Sequence, residues 1–89
     1  MKEFSRDVYV INEFGLHARS AAKIAKLAQA AKANVWIIKD GNEVDASSII
    51  DILTLAGAKG SKITLKVEDP SDIDILNAIV KLVEKGFGE

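Results

Sequence analysis

Residues 62–68, Lys-Ile-Thr-Leu-Lys-Val-Glu, alternate polar and apolar side chains throughout, and they constrain the fold more than any other stretch of the chain. Side chains along a strand point to opposite faces by turns, so such a run has one face for a core and one for water. A strand buried on both sides would read as a continuous apolar run. This one requires a sheet with helices on one face and solvent on the other.

The remaining segments supply the partners of that strand. Residues 4–11 are rich in β-branched and aromatic side chains, with Phe4, Val8 and Val10 on one parity, and predict a first strand. Over residues 18–32 alanine and lysine dominate. Ala21, Ile24, Leu27 or Ala28, and Ala31 recur there at helical spacing, which predicts a first helix. Residues 34–39 read as a strand, Asp40-Gly41 as a tight hairpin turn, and Glu43-Val44 as the start of the returning strand. Val35, Trp36 and Ile38 are therefore read as sheet and core residues rather than a ligand platform. Ser47 or Ser48 can cap a short helix reaching Leu55, with Gly57 expected to end it in the left-handed conformation. Beyond the alternating strand, Asp69 is a cap, Pro70 a first helical residue and Asp72 a first-turn acid. They open a third helix whose Ile73, Leu76, Val80 and Val83 share a face, and Gly86 ends it. The order is strand, helix, strand, strand, helix, strand, helix, which is an open-faced α+β sandwich. No linker-like or repeated segment interrupts it, so residues 1–89 are expected to form a single domain.

Composition narrows the chemistry. With 89 residues, 48% hydrophobic and 28% charged, the chain is long enough for one core and too ordered in composition for a disordered segment. A net charge of −1 offers no basic field for nucleic acid. No apolar run approaches the roughly 20 residues of a membrane span, and the first residues lack the apolar stretch of a signal peptide, so a cytoplasmic location is expected. There is no cysteine and only one histidine, which excludes disulfides, thiol nucleophiles and multi-histidine metal sites. No metal or other cofactor is expected. Function has to come from oxygen, nitrogen and backbone groups.

The single histidine stands in Gly15-Leu16-His17-Ala18-Arg19, at the mouth of the first helix. Imidazole is the side chain that changes charge near neutrality, and a helix start directs backbone N–H groups at bound anions. A neutral imidazole can attack phosphorus, and the positive end of the helix together with Arg19 works against a second positive charge on the ring. The same groups favour the phosphate once it is attached, each contributing about 0.3–2 kcal/mol, enough to hold it and little enough to release it. Gly15 allows the tight turn before His17.

Gly15-Leu16-His17-Ala18-Arg19 between first strand and first helix, a Ser-Ile pair opening a short second helix, residues 41–46 and the Ala58-Lys59-Gly60 turn together resemble the HPr phosphocarriers of the bacterial phosphotransferase system. The similarity covers essentially the whole chain. It implies a four-stranded antiparallel sheet with three helices on one face. It also implies that His17 accepts a phosphoryl group on Nδ1 from phosphorylated enzyme I and passes it to an enzyme IIA, with Arg19 steadying the phosphate. Ser20 departs from the pattern, which has proline there; serine is expected to leave the turn more mobile, and to cap the helix or contact the phosphate. Ser48 matches the serine that HPr kinase/phosphorylase modifies in some members, while its place before Asp51 also suits an N-cap. Against modification, Ser47 replaces the basic residue of that pattern, and Asp45 and Asp51 would repel an added phosphate.

Ile49, Ile50 and Leu53 exceed what a two-turn helix can bury and are expected to form an exposed apolar docking patch, with Lys23 and Lys26 steering acidic partners. A monomer is expected. A stand-alone enzyme using His17 as general base is disfavoured, since no second histidine, cysteine or motif-placed carboxylate pair completes a site. A regulatory relative, as in the nitrogen branch of the phosphotransferase system, is the alternative reading.

Overall fold

In a computed structural model, which describes residues 4–89, the alternating run forms β4 (Lys62–Val67) at the centre of a four-stranded sheet. It pairs on one side with β1 (Ser5–Tyr9) and on the other with β2 (Val35–Lys39), and β3 (Asn42–Asp45) lies outside β2, all neighbours being antiparallel. The register sets Val8 opposite Ile63, Ile37 opposite Leu65 and Val35 opposite Val67, all buried on one face. The opposite face carries polar cross-strand pairs. Thr64 Oγ1 donates to Asp7 Oδ1 at 2.7 Å, and Lys66 Nζ meets Glu43 Oε1 at 2.9 Å. Trp36 and Ile38 belong to this outer face and are only half-buried, so of the three residues expected in the core only Val35 is there. The hairpin between β2 and β3 turns through Asp40 and Gly41 with φ of 52° and 82°, the double positive φ that a two-residue turn between twisted strands requires.

Three α-helices cover the inner face among the described residues: α1 (Ala18–Ala28), α2 (Ile49–Leu53) and α3 (Ile73–Glu84). α1 buries Ala21, Ile24, Ala25 and Ala28, and stops at Gln29 rather than reaching Lys32. The cause lies far away in sequence. The Asp72 carboxylate, only 3% exposed, accepts the backbone N–H groups of Lys32 at 2.9 Å and Ala33 at 3.1 Å, which turns the chain toward β2. Asp72 is therefore a clasp between two loops as well as the end of a 3-10 turn, Pro70–Asp72, that precedes α3. Asp69 caps that turn as expected, accepting from the Ser71 N–H at 2.9 Å. In α3 the buried line is Leu76, Ile79 and Val83, with Ile73 and Val80 half-buried beside it, so the stripe lies slightly to one side of the predicted one.

Two turns differ from expectation in a way that matters for the site. The left-handed residue after α2 is Ala56, with φ 51°, and Gly57 has another reason to be glycine: a Cβ there would lie 2.6 Å from Leu16 Cδ1. After α3, Gly86 turns left-handed with φ 64° as expected, but the chain then folds back. Phe87, itself at φ 61°, is buried in the core, and this returns Gly88 and Glu89 to the start of α1.

Candidate functional site

The loop before α1 is fixed on both sides. Gly15 has φ 63°, and a Cβ on it would lie 2.2 Å from Gly57 O, so only glycine allows the two backbones to approach. Leu16 then donates its N–H to Gly57 O at 2.7 Å and buries its side chain over Gly57. His17 follows as the N-cap of α1, in extended backbone. Its N–H donates to Ser20 Oγ at 3.0 Å, and the Arg19 N–H donates to His17 Nδ1 at 3.1 Å, a reciprocal cap in which the imidazole replaces the usual hydroxyl or carboxylate.

Ser20 is fully buried and its Oγ lies 3.0 Å from the Gly15 carbonyl, to which it donates. It pins the loop instead of loosening it. Of the two roles expected for its side chain, capping is the one the hydrogen bonds show.

The other imidazole nitrogen has a partner that no local pattern announced. His17 Nε2 lies 2.5 Å from Glu89 Oε2, and the other oxygen of that carboxylate accepts from Asn12 Nδ2 at 3.0 Å. Asn12 Nδ2 also donates to the Gly15 carbonyl at 2.8 Å, so both amide hydrogens of this buried residue are used. These contacts define the ring. A backbone N–H can only donate, so Nδ1 holds a lone pair; a carboxylate accepts, so the proton is on Nε2. The bond from Asn12 is the largest influence on the Glu89 carboxyl and holds it below its ordinary range; desolvation opposes it, and His17 and Lys23 add smaller lowering contributions. Phe14 sets its ring edge-on to the imidazole, with centroids 6.3 Å apart. Phe14, His17, Arg19, Lys23, Gly88 and Glu89 line an open depression of about 490 Å³.

The residues expected to dock partners differ in their surroundings. Ile49, Ile50 and Leu53 are exposed on α2, Ile50 at 74%, as expected. Phe14, at 77%, joins the exposed apolar set beside His17, although its place in Asn12-Glu13-Phe14-Gly15 marks it in sequence only as part of a strand break. Lys23 Nζ donates to the Phe87 carbonyl at 2.7 Å, which ties the chain after α3 to α1, while the residue stays exposed at the edge of the same depression. Lys26 is exposed in the last turn of α1, about 13 Å along the axis from His17 at 1.5 Å per residue, so it does not line the depression itself. Ser48 caps α2 by accepting the Asp51 N–H at 3.2 Å. Among the described residues no cluster of potential ligands could hold a metal ion, and no helix is long and apolar enough to cross a membrane.

Comparison with known proteins gives one answer. A model of the family described as "PTS HPr component phosphorylation site" matches residues 4–85. The phosphocarrier protein HPr of Cupriavidus necator is 38% identical over 84 residues, covering 94% of each chain. The phosphocarrier protein NPr of Escherichia coli is 37% identical over 83 residues, covering 92% of each. Among solved structures, HPr-C-His from Thermoanaerobacter tengcongensis superposes with a TM-score of 0.89 at 33% identity, over 96% of both chains. A sheet open on one face, with its only histidine at a helix mouth, is the fold of a phosphocarrier. The chain belongs to the HPr family, whose members named here include both HPr and NPr proteins.

Proposed function

We propose that this chain carries a phosphoryl group on Nδ1 of His17, taking it from phosphorylated enzyme I and passing it to an enzyme IIA in the cytoplasm. The observation that carries this reading is the pair of hydrogen bonds on the imidazole: Arg19 N–H to Nδ1, and Nε2 to Glu89. They make Nδ1 the nucleophilic atom and point it at the N-terminus of α1. As the phosphoryl group approaches, the Nδ1 lone pair exchanges the amide hydrogen for phosphorus. The freed Arg19 N–H and the exposed Arg19 side chain then stand beside the new phosphate, where donors and positive charge lower its energy. Glu89 lies on the opposite nitrogen of the ring and so leaves the Nδ1 side to the phosphate. Phe14, Ile50 and their exposed neighbours supply apolar area for partners that associate briefly, with Ser48 as the cap that keeps α2 formed.

A second reading, a regulatory carrier of the nitrogen branch, is favoured by the similarity to an NPr protein at nearly the same identity as to an HPr protein. Incubation with phosphoenolpyruvate and enzyme I, followed by intact mass, tests the common step. One acid-labile phosphoryl group is expected, absent in His17→Ala; no gain with an active enzyme I would refute the carrier role. Restoration of sugar uptake in a carrier-deficient bacterium supports the sugar branch, and failure there, with phosphorylation intact, supports the nitrogen branch.

A further inference from the structure

We propose that Glu89 is a positioning residue for His17, holding the imidazole in the tautomer and orientation that present Nδ1 to phosphorus. The inference rests on the reading of His17 as phosphoryl acceptor and extends it to a residue 72 positions away in sequence.

The segment after α3 is built to deliver that carboxylate. Gly86 and Phe87 turn with positive φ, Phe87 anchors in the core at 1% exposure, and Lys23 on α1 grips the Phe87 carbonyl. Asn12, buried between β1 and the loop, then fixes Glu89 Oε1 and leaves Oε2 on His17 Nε2. An amide with both donors committed cannot rotate without losing one of them, so the carboxylate has a defined place. The ring is thereby held at both nitrogens, by a main-chain donor on one side and a carboxylate on the other. A carboxylate behind an imidazole sets its tautomer and stabilises positive charge that develops on it.

The consequence appears during transfer. The Nδ1 lone pair forms the N–P bond while the bond from phosphorus to the donor's nitrogen breaks, and the donor keeps that electron pair. The Nε2 proton stays in place, so the phosphorylated ring acquires a positive charge facing the Glu89 carboxylate. In the onward step phosphorus leaves for the acceptor, Nδ1 recovers its pair, and the ring is neutral again. Arg19 and Lys23 are the other charged groups around the same depression, and both lie on α1.

The test uses the full chain and its Glu89→Ala and Glu89→Gln variants. Proton NMR of the unphosphorylated parent should show the His17 Nε2 proton shifted downfield and protected from exchange. Glu89→Ala should lose that signal, and Glu89→Gln, whose amide oxygen still accepts, should keep it with a smaller shift. The rate of phosphorylation by enzyme I and phosphoenolpyruvate should fall roughly tenfold in Glu89→Ala, the scale of one charge-assisted hydrogen bond, with KM for enzyme I unchanged and Glu89→Gln between the two. A parent without a protected Nε2 proton, or Glu89→Ala phosphorylated at the parental rate, would overturn the positioning role and leave the carrier reading intact. A parent that takes no phosphate from an active enzyme I would instead overturn the carrier reading, while the proton signal would still report the contact.

Discussion

Leu16 and Gly57 hold each other in place: the Leu16 N–H donates to Gly57 O at 2.7 Å, and the Leu16 side chain occupies the space a Cβ on residue 57 would need. Because Leu16 precedes His17, this contact ties the His17 loop to the turn that follows α2.

Gly57→Ala should therefore act at a distance. Its methyl group would sit 2.6 Å from Leu16 Cδ1, which must move, and overpacking of this kind costs about 1–3 kcal/mol. Chemical denaturation should show that loss together with a shifted His17 ring environment by NMR. Gly15→Ala should be worse, since it adds a positive φ to a 2.2 Å approach to Gly57 O.

Ser20→Ala should destabilise the chain by about 1–2 kcal/mol in equilibrium unfolding. It removes the acceptor for the His17 N–H and the donor to the Gly15 carbonyl, both within the loop. A stability equal to that of the parent would mean that the loop does not depend on the buried hydroxyl.

Acid should weaken the fold through two carboxylates held below their ordinary range, Glu89 chiefly by the Asn12 amide and Asp69 chiefly by the Ser71 N–H. A depressed carboxylate contributes its stability fully above the unfolded value near 4 and loses it as pH falls through the lower folded value. Thermal unfolding followed downward from pH 5 should show a falling midpoint, and Glu89→Gln should flatten part of that slope.

Phe14→Ala and Ile50→Ser remove exposed side chains and should change stability by less than about 0.5 kcal/mol. If these residues dock partners, KM for enzyme I should rise several-fold in each variant while phosphorylation at saturating enzyme I is retained.

The sheet was legible in the sequence because its determinants are local: the alternation in residues 62–68, and an Asp40-Gly41 turn whose positive φ values follow from the residue types. The helix mouth around His17 was legible for the same reason. What was not legible depends on contacts between distant segments. Helix propensity alone carries α1 to Lys32, and only the Asp72 carboxylate, 40 residues away, explains the turn before that point. Gly57 was given the conformational role that Ala56 fills, since sequence shows that a glycine is needed nearby but not that Leu16 lies against it. Asn12 and Glu89 carry no periodicity and no motif spacing, and their meeting at His17 appears only when the chain after α3 folds back on Phe87. Lys23 resembled any other solvated helix lysine until that same segment supplied its acceptor.

In the proposed transfer, Nδ1 of His17 receives the phosphoryl group. Phosphorus–nitrogen correlation NMR on isotope-labelled protein, after incubation with phosphoenolpyruvate and enzyme I, reads it directly. A single phosphorus signal coupled to Nδ1 of His17 is expected, with the proton retained on Nε2 against Glu89. Coupling to Nε2, or a phosphate on any residue other than His17, would contradict it.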